Sequence, residues 1–275
     1  MSQEQTITDV LVVGATGSIG QLAVQAAQRH GLHPRALVRD VRRAEHLLPG
    51  VELMQGDLED PASLLRAVSG AEAIVLTHGS GGDPRPDARE HIDYGGVRNI
   101  LQTLDGARPR TALMTSIYAT RSDIPGATPW KRRSERLLRA SGLPYTIVRP
   151  GWFDHAGPSQ RRLVLEQGGT ADGGIARDQI AETLIRSLLT DSALGKTFEL
   201  TAIEGDEPAD WTQLFDTLRA DEPGSVDGVL DRADLTVENE PQAVRTDLEA
   251  LRRTSRSQAR SARLVARAVS IMPRR

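Results

Sequence analysis

The stretch Val10-Leu11-Val12-Val13-Gly14-Ala15-Thr16-Gly17-Ser18-Ile19-Gly20 decides the fold. Its first four residues form an unbroken apolar run that stops at a glycine. Ile19, Leu22, Ala23, Ala26 and Ala27 then share one helical face as far as Gly31. The order is strand, glycine turn, helix. The glycines are spaced G-x-x-G-x-x-G. Gly14 permits a tight exit from the strand, Gly17 lets backbone N–H groups approach a pyrophosphate, and Gly20 lets the helix lie close to the sheet. Unpaired amides and the dipole at a helix N-terminus both favour negative charge, so the phosphates of a dinucleotide belong there. Thr16, Ser18 and Ile19 join the three glycines as expected cofactor contacts. Three glycines alone can be structural; the strand–turn–helix setting makes them a binding turn.

Outward from this unit the same alternation continues. Strands are expected at residues 35–38, 51–54, 71–76, 111–114 and 145–148, with helices at 41–48, 61–68, 87–104 and 128–140. Asp60 caps the helix that opens with Pro61. Short strands without polar alternation suit burial on both faces, and right-handed crossovers follow. The fold class is therefore α/β, a doubly wound parallel sheet of Rossmann type with small C-terminal segments on the substrate side. Residues 1–203 form the expected NAD(P)-binding domain. Within it the glycine-rich loops 151–175 follow a strand's carboxyl end, where ligands enter such sheets, ahead of a helix at 176–189 and a strand at 197–200.

Composition narrows the function. The 275 residues include no cysteine, which excludes disulfides, zinc–thiolate sites, iron–sulfur clusters and thiol catalysis. Six scattered histidines, with only His30 and His33 close together, give no metal-ligating cluster. No export signal or membrane span is expected, so the location expected is cytoplasmic. Residues 251–275 carry eight arginines and no acid, which leaves 26 basic against 37 acidic residues in the rest of the chain. An acidic body disfavours nucleic acid. Residues 204–250 hold 14 acids and three basic residues. They read as one amphipathic helix around Trp211, Leu214, Phe215 and Leu218, then extended acidic chain. In the basic tail Arg256, Arg260, Arg263 and Arg267 line one helical face and Ala262, Val265, Val269 and Met272 another. Docking of this tail on the acidic segment is expected, with a membrane-surface or partner-binding helix as the alternative.

The end of the second strand bears on which dinucleotide binds. NAD sites place a carboxylate there for the ribose hydroxyls, whereas this chain reads Leu37-Val38-Arg39-Asp40, with Arg42 and Arg43 behind. Arg39 favours NADP(H) over NAD(H). A charge-assisted contact to a 2′-phosphate is worth roughly 1.5–3 kcal/mol, about ten- to a hundredfold in affinity. The alternative is that Asp40 binds ribose while the arginines are solvated.

Three further stretches carry a family resemblance: Gly56-Asp57-Leu58, Tyr118 two residues past Ser116, and Ser141-Gly142-Leu143-Pro144-Tyr145-Thr146-Ile147-Val148-Arg149-Pro150-Gly151. With the glycine turn and Arg39, the chain over about residues 8–203 resembles the atypical short-chain dehydrogenase/reductases of the NAD(P)H-binding, NmrA-like and flavin-reductase-like kind. The resemblance implies that Asp57 and Leu58 contact the adenine, that residues 77–79, beginning with Thr77, pass the ribose, and that Pro150, Gly151 and Trp152 border the nicotinamide. Asp57 read alone is equally a loop cap.

In the wider superfamily a tyrosine donates the proton, a lysine four residues later lowers its pKa and holds the ribose, and an upstream serine orients the carbonyl. Lys131 matches the lysine, but Ala127 stands where the tyrosine belongs. Ser116 matches the serine, and Tyr118 could supply a phenol from elsewhere. Lys131, Ser116 and Tyr118 are thus the catalytic candidates, with Lys131 also a cofactor contact. If Thr128 caps the helix, Lys131 sits in a first turn whose dipole disfavours cations, which a bound ligand would explain; the alternative is a Lys131–Glu135 surface pair. His78 and His155 are spare acid–base groups, each expected to be hydrogen-bonded or solvent-facing.

The leading expectation is an NADPH-dependent reductase that transfers hydride to a small carbonyl, enone or quinone-like acceptor. An NADP(H)-sensing binding protein without turnover and a flavin or quinone reductase are the alternatives. The expected partner is a small-molecule substrate, and the helix at 87–104 could pair between subunits of a homodimer.

Overall fold

The computed structural model describes residues 7–121, 123 and 129–271, with side chains as far as Gln258 and at Arg260. The first half alternates β1 (Asp9–Val13), α1 (Ser18–Arg29), β2 (His33–Val38), α2 (Val41–Leu47), β3 (Glu52–Gln55), α3 (Pro61–Val68) and β4 (Ala73–Leu76). A π-helical stretch, Arg89–Tyr94, runs into α4 (Gly95–Thr103). β5 (Arg110–Met114), α5 (Pro129–Ser141), β6 (Tyr145–Pro150), β7 (Trp152–Phe153), β8 (Arg162–Glu166), β9 (Gly174–Ile175), α6 (Arg177–Leu189), β10 (Lys196–Ile203), α7 (Trp211–Asp216) and α8 (Gln242–Ile271) follow. Asp60 caps α3, its carboxylate accepting the Ala62 N–H at 3.1 Å ahead of Pro61.

The sheet has eight strands in the order β3-β2-β1-β4-β5-β6-β10-β8, and each neighbouring pair is parallel except β10 with β8. The fold is a Rossmann-like α/β arrangement. Along β1, Val10 and Val12 enter the core on one face of the sheet while Leu11 and Val13 enter the core on the other, all fully buried. This is why the strand shows no polar alternation. The order reverses between β1 and β4, where Val13 lies beside Leu76. Ligands enter doubly wound sheets at such a point.

The antiparallel edge strand β8 lies where the sequence suggested only irregular loops; its five residues are flanked by glycines and read as part of the surrounding breakers. The helix expected over 87–104 packs within the chain. Tyr94 stacks at 5.5 Å from Trp130 and donates to Asp247 of α8 at 2.8 Å, and Val97 and Ile100 are buried.

The acidic segment does not wait for the basic tail. Arg132 binds Asp227 and Asp234, Arg136 binds Asp227 and Glu240, Arg139 binds Asp221, and Arg149 binds Asp231. These arginines come from α5 and β6, whose long side chains reach outward from the sheet to residues 221–240. The fold buries all four. α8 begins at Gln242, inside the acidic stretch, and anchors through Val244 and Leu248, each 1% exposed. Arg256 and Arg260 are exposed; the side chains of Ala262, Arg263, Val265, Arg267 and Val269, and all of Met272, lie outside the described residues. No helix among the described residues is long and apolar enough to cross a membrane.

Candidate functional site

A cleft of about 520 Å³ opens over the carboxyl ends of β1, β2, β4 and β5. The glycine turn forms its floor. Gly14 has φ +83°, and a Cβ there would stand 2.7 Å from the backbone nitrogen of His78 and 2.9 Å from Thr77 Oγ1. A Cβ on Gly20 would lie 2.1 Å from the Gly14 carbonyl oxygen. Gly14 and Gly20 are thus required by the close approach of turn, helix and β4. Gly17 is the N-cap of α1, and no side chain caps the helix or adds an acid to its first turn. The Gly17 N–H is tied to the Gly14 carbonyl at 2.9 Å, so the N–H groups of the first helical turn, from Ser18 and Ile19 on, are the ones open to the cleft that Thr16, Gly17, Ser18 and Ile19 line. This cradle fits a pyrophosphate. Gly20 packs behind it.

Thr77 is buried, and its N–H and hydroxyl both donate to the Val13 carbonyl at 2.9 Å, which ties β4 to the turn. Asp57 and Leu58 line the cleft. Asp57 also serves its own loop: Oδ1 accepts the Glu59 N–H at 2.9 Å. The Leu58 carbonyl is held by Asn99 Nδ2 at 2.6 Å.

At the end of β2 the two charges separate. Asp40 caps α2, accepting the Arg43 N–H at 3.1 Å, while Arg39 is exposed and lines the cleft. Arg42 and Arg43 face solvent.

Lys131 lines the same cleft from the first turn of α5 and donates through Nζ to the Thr115 carbonyl at 3.3 Å. Burial lowers its pKa, against the opposing fields of Asp93 and Glu135. The surface pair with Glu135 is not formed. Glu135 is fully buried and held by Arg149, Arg139 and Thr115. The Thr128 cap and Ala127 lie outside the described residues.

Of the two readings given to His78, the hydrogen-bonded one holds in part, through the Ile92 backbone. Its Nδ1 is out of solvent yet without a partner, and burial pushes its pKa down to about 4 despite the Asp93 carboxylate. It is neutral at pH 7. His155 is exposed, 6.3 Å from the Trp152 ring.

Among the described residues lining the cleft, neither Ser116 nor Tyr118 appears. Tyr118 has φ 63° and packs edge-on to Trp152 at 6.0 Å. Burial and a hydrogen bond to Asp172 raise its pKa, and Trp152 Nε1 donates to the same carboxylate at 3.0 Å. A catalytic phenol needs the opposite shift. Pro150 ends β6, its carbonyl accepting the Ile117 N–H at 3.0 Å, and Phe153 rather than Pro150 reaches the cleft. Phe153, Met114 and Ile92 were not legible as lining residues, because apolar side chains beside a strand end read as core. No group of three or more His, Asp or Glu side chains among the described residues is placed to hold a metal ion.

Residues 14–191 match the model of the NAD(P)H-binding family. The chain belongs to that family. Among its relatives, a protein of Bacillus subtilis named as an uncharacterized sugar epimerase is 32% identical over 211 residues, which cover 72% of this chain and 95% of the relative. The sanguinarine reductase of Eschscholzia californica is 26% identical over 263 residues, with 75% of this chain and 94% of the relative covered. A solved NAD-dependent epimerase/dehydratase structure from Bacillus halodurans shares the fold with a TM-score of 0.64, at 23% identity, over 77% of this chain and all of its own. The NAD(P)H-binding family thus includes oxidoreductases, and the cofactor class is a nicotinamide dinucleotide.

Proposed function

We propose that the protein is an NADPH-dependent reductase that delivers hydride to a small carbonyl, enone or quinone-like acceptor. The observation that carries this reading is one cleft that joins the uncapped turn of α1, an Arg39 left free by the capping role of Asp40, and Lys131. In this reading the α1 amides hold the pyrophosphate, Arg39 holds the 2′-phosphate, and Asp57 and Leu58 flank the adenine. Lys131 holds ribose hydroxyls at the far end. A bound nicotinamide supplies the hydride. Phe153 and Met114 exclude water beside it, and Lys131 is the cleft's proton-bearing cation. A relative named as a reductase supports the reaction class.

Within this range, quinone-like and flavin acceptors fit better than simple ketones. The Tyr118 hydroxyl is committed to Asp172, and His78 is neutral with its Nδ1 out of solvent. Such acceptors need little acid assistance. The exposed Trp152, 49% accessible, offers a flat surface next in the chain to Phe153, which lines the cleft.

Titration of NADPH and NADH against the wild type and Arg39→Ala tests the cofactor. NADPH should bind at least tenfold more tightly, and the substitution should remove the difference; equal wild-type affinities overturn the assignment. A turnover screen with NADPH against quinones, flavins and aldehydes tests the reaction. Tight binding with no oxidation by any acceptor replaces the reductase with a sensor of the NADP(H) state.

A further inference from the structure

The coenzyme cleft does not end at Arg39. A second recess of about 630 Å³ continues around the carboxyl end of the edge strand β3, and the two share Arg39, Gly56 and Asp57. A ligand seated in the first can therefore extend into the second. The far wall comes from α3, which contributes Ser63 and Arg66.

The lining of this recess is net positive, with Arg39 and Arg66 against the single carboxylate of Asp57. Asp40 is occupied as the α2 cap, and Asp57 Oδ1 accepts the Glu59 N–H. Glu59 and Asp83 are both held by Arg85, at 2.6 and 3.0 Å. Each nearby carboxylate thus already has a donor. Arg39 and Arg66 are exposed, and among the described residues neither comes within salt-bridge distance of a carboxylate, although the charge of Arg39 reaches Asp83. Two arginines lining one recess against a single carboxylate match the chemistry of a phosphate monoester. Such a group carries about −1.5 to −2 at pH 7 and exceeds what one arginine neutralises.

We infer that Arg66 is a second reader of the coenzyme 2′-phosphate, gripping it from α3 while Arg39 grips it from β2. The inference rests on the NADPH reading above and adds a specificity-determining residue to it. Nothing in the sequence marked Arg66, because it sits in the last turn of a helix, where a cation is ordinary dipole complement.

The test uses calorimetric titration of adenosine 2′,5′-bisphosphate, AMP, NADPH and NADH against the wild type, Arg39→Ala, Arg66→Ala and Arg66→Lys. Arg66→Ala should weaken the bisphosphate and NADPH by about five- to twentyfold while AMP and NADH stay within twofold. Arg66→Lys should recover part of the loss, since it restores the charge without the planar fork. Equal effects of Arg66→Ala on all four ligands, or none on any, overturn the inference while a selective loss in Arg39→Ala leaves the NADPH reading standing. A wild type that binds bisphosphate and AMP equally overturns both.

Discussion

Arg149 on β6 and Asp231, 82 residues later in the chain, meet in a two-pronged pair with Nη1–Oδ1 at 2.7 Å and Nη2–Oδ2 at 2.8 Å, the side chains 1% and 2% exposed. Glu135 and Glu199 bind the same guanidinium. The pair clamps the segment that follows the family-matched region to the end of the strand that leads into the site. Desolvation of so many charges consumes most of the Coulombic gain, so the cluster contributes register and specificity more than net stability. Removal of one member is another matter, because it strands the others.

Asp231→Ala should therefore destabilise the protein by about 3–5 kcal/mol. Urea denaturation followed by far-UV circular dichroism measures this. A loss below about 1 kcal/mol, the range of an exposed pair, would show that the cluster is hydrated in solution.

Acid should release the same segment. Ionised Asp231 is held well below the usual carboxylate range: burial raises its pKa, but hydrogen bonding and the charge of Arg149, with Arg139, outweigh it. A depressed folded pKa contributes stability that is complete above the unfolded value of about 3.9 and is lost progressively as pH falls from there through the folded value. Glu199 runs the other way, since burial raises its pKa; its protonation on acidification relieves a cost and partly offsets the loss. The expected net result is resistance to proteolysis within residues 217–241 at pH 6 to 8 and cleavage that rises progressively as pH falls from about 4 towards the folded pKa of Asp231. Cleavage that does not change with pH counts against the clamp.

Gly14→Ala tests the cradle. The positive φ and the 2.7 Å approach to the His78 nitrogen leave no place for a methyl group, so coenzyme affinity should fall by at least tenfold. Retained affinity, measured by calorimetry on protein with a native circular dichroism spectrum, would move the pyrophosphate elsewhere.

Lys131→Met and Tyr118→Phe should separate. Lys131 lines the cleft, so its loss should raise the coenzyme Kd several-fold and lower turnover. Tyr118→Phe should leave quinone or flavin reduction within twofold, because its hydroxyl is spent on Asp172. A tenfold rate loss in Tyr118→Phe at unchanged coenzyme affinity would return the phenol to the mechanism.

The sequence by itself determined the alternating elements, the turn at Gly14, Gly17 and Gly20, and the cap at Asp60, because each depends on neighbours within one or two helical turns. It could also place Arg39 beside Asp40, but not say which of them lines the cleft; Asp40 turns to cap α2 and Arg39 is the one in the lining. Tertiary structure alone decided the rest. Glu135 reads as a surface partner of Lys131 at helical spacing, yet Arg149 from β6 draws it into the core. Tyr118 reads as a spare phenol until Asp172, more than fifty residues away, takes its hydroxyl. The acids at 221–240 read as extended chain on which the basic tail would dock, whereas their partners are arginines some hundred residues earlier. Backbone preference is set locally, but the partner of a charge is set by whichever opposite charge the fold brings within hydrogen-bond reach, and no spacing in the chain records that distance.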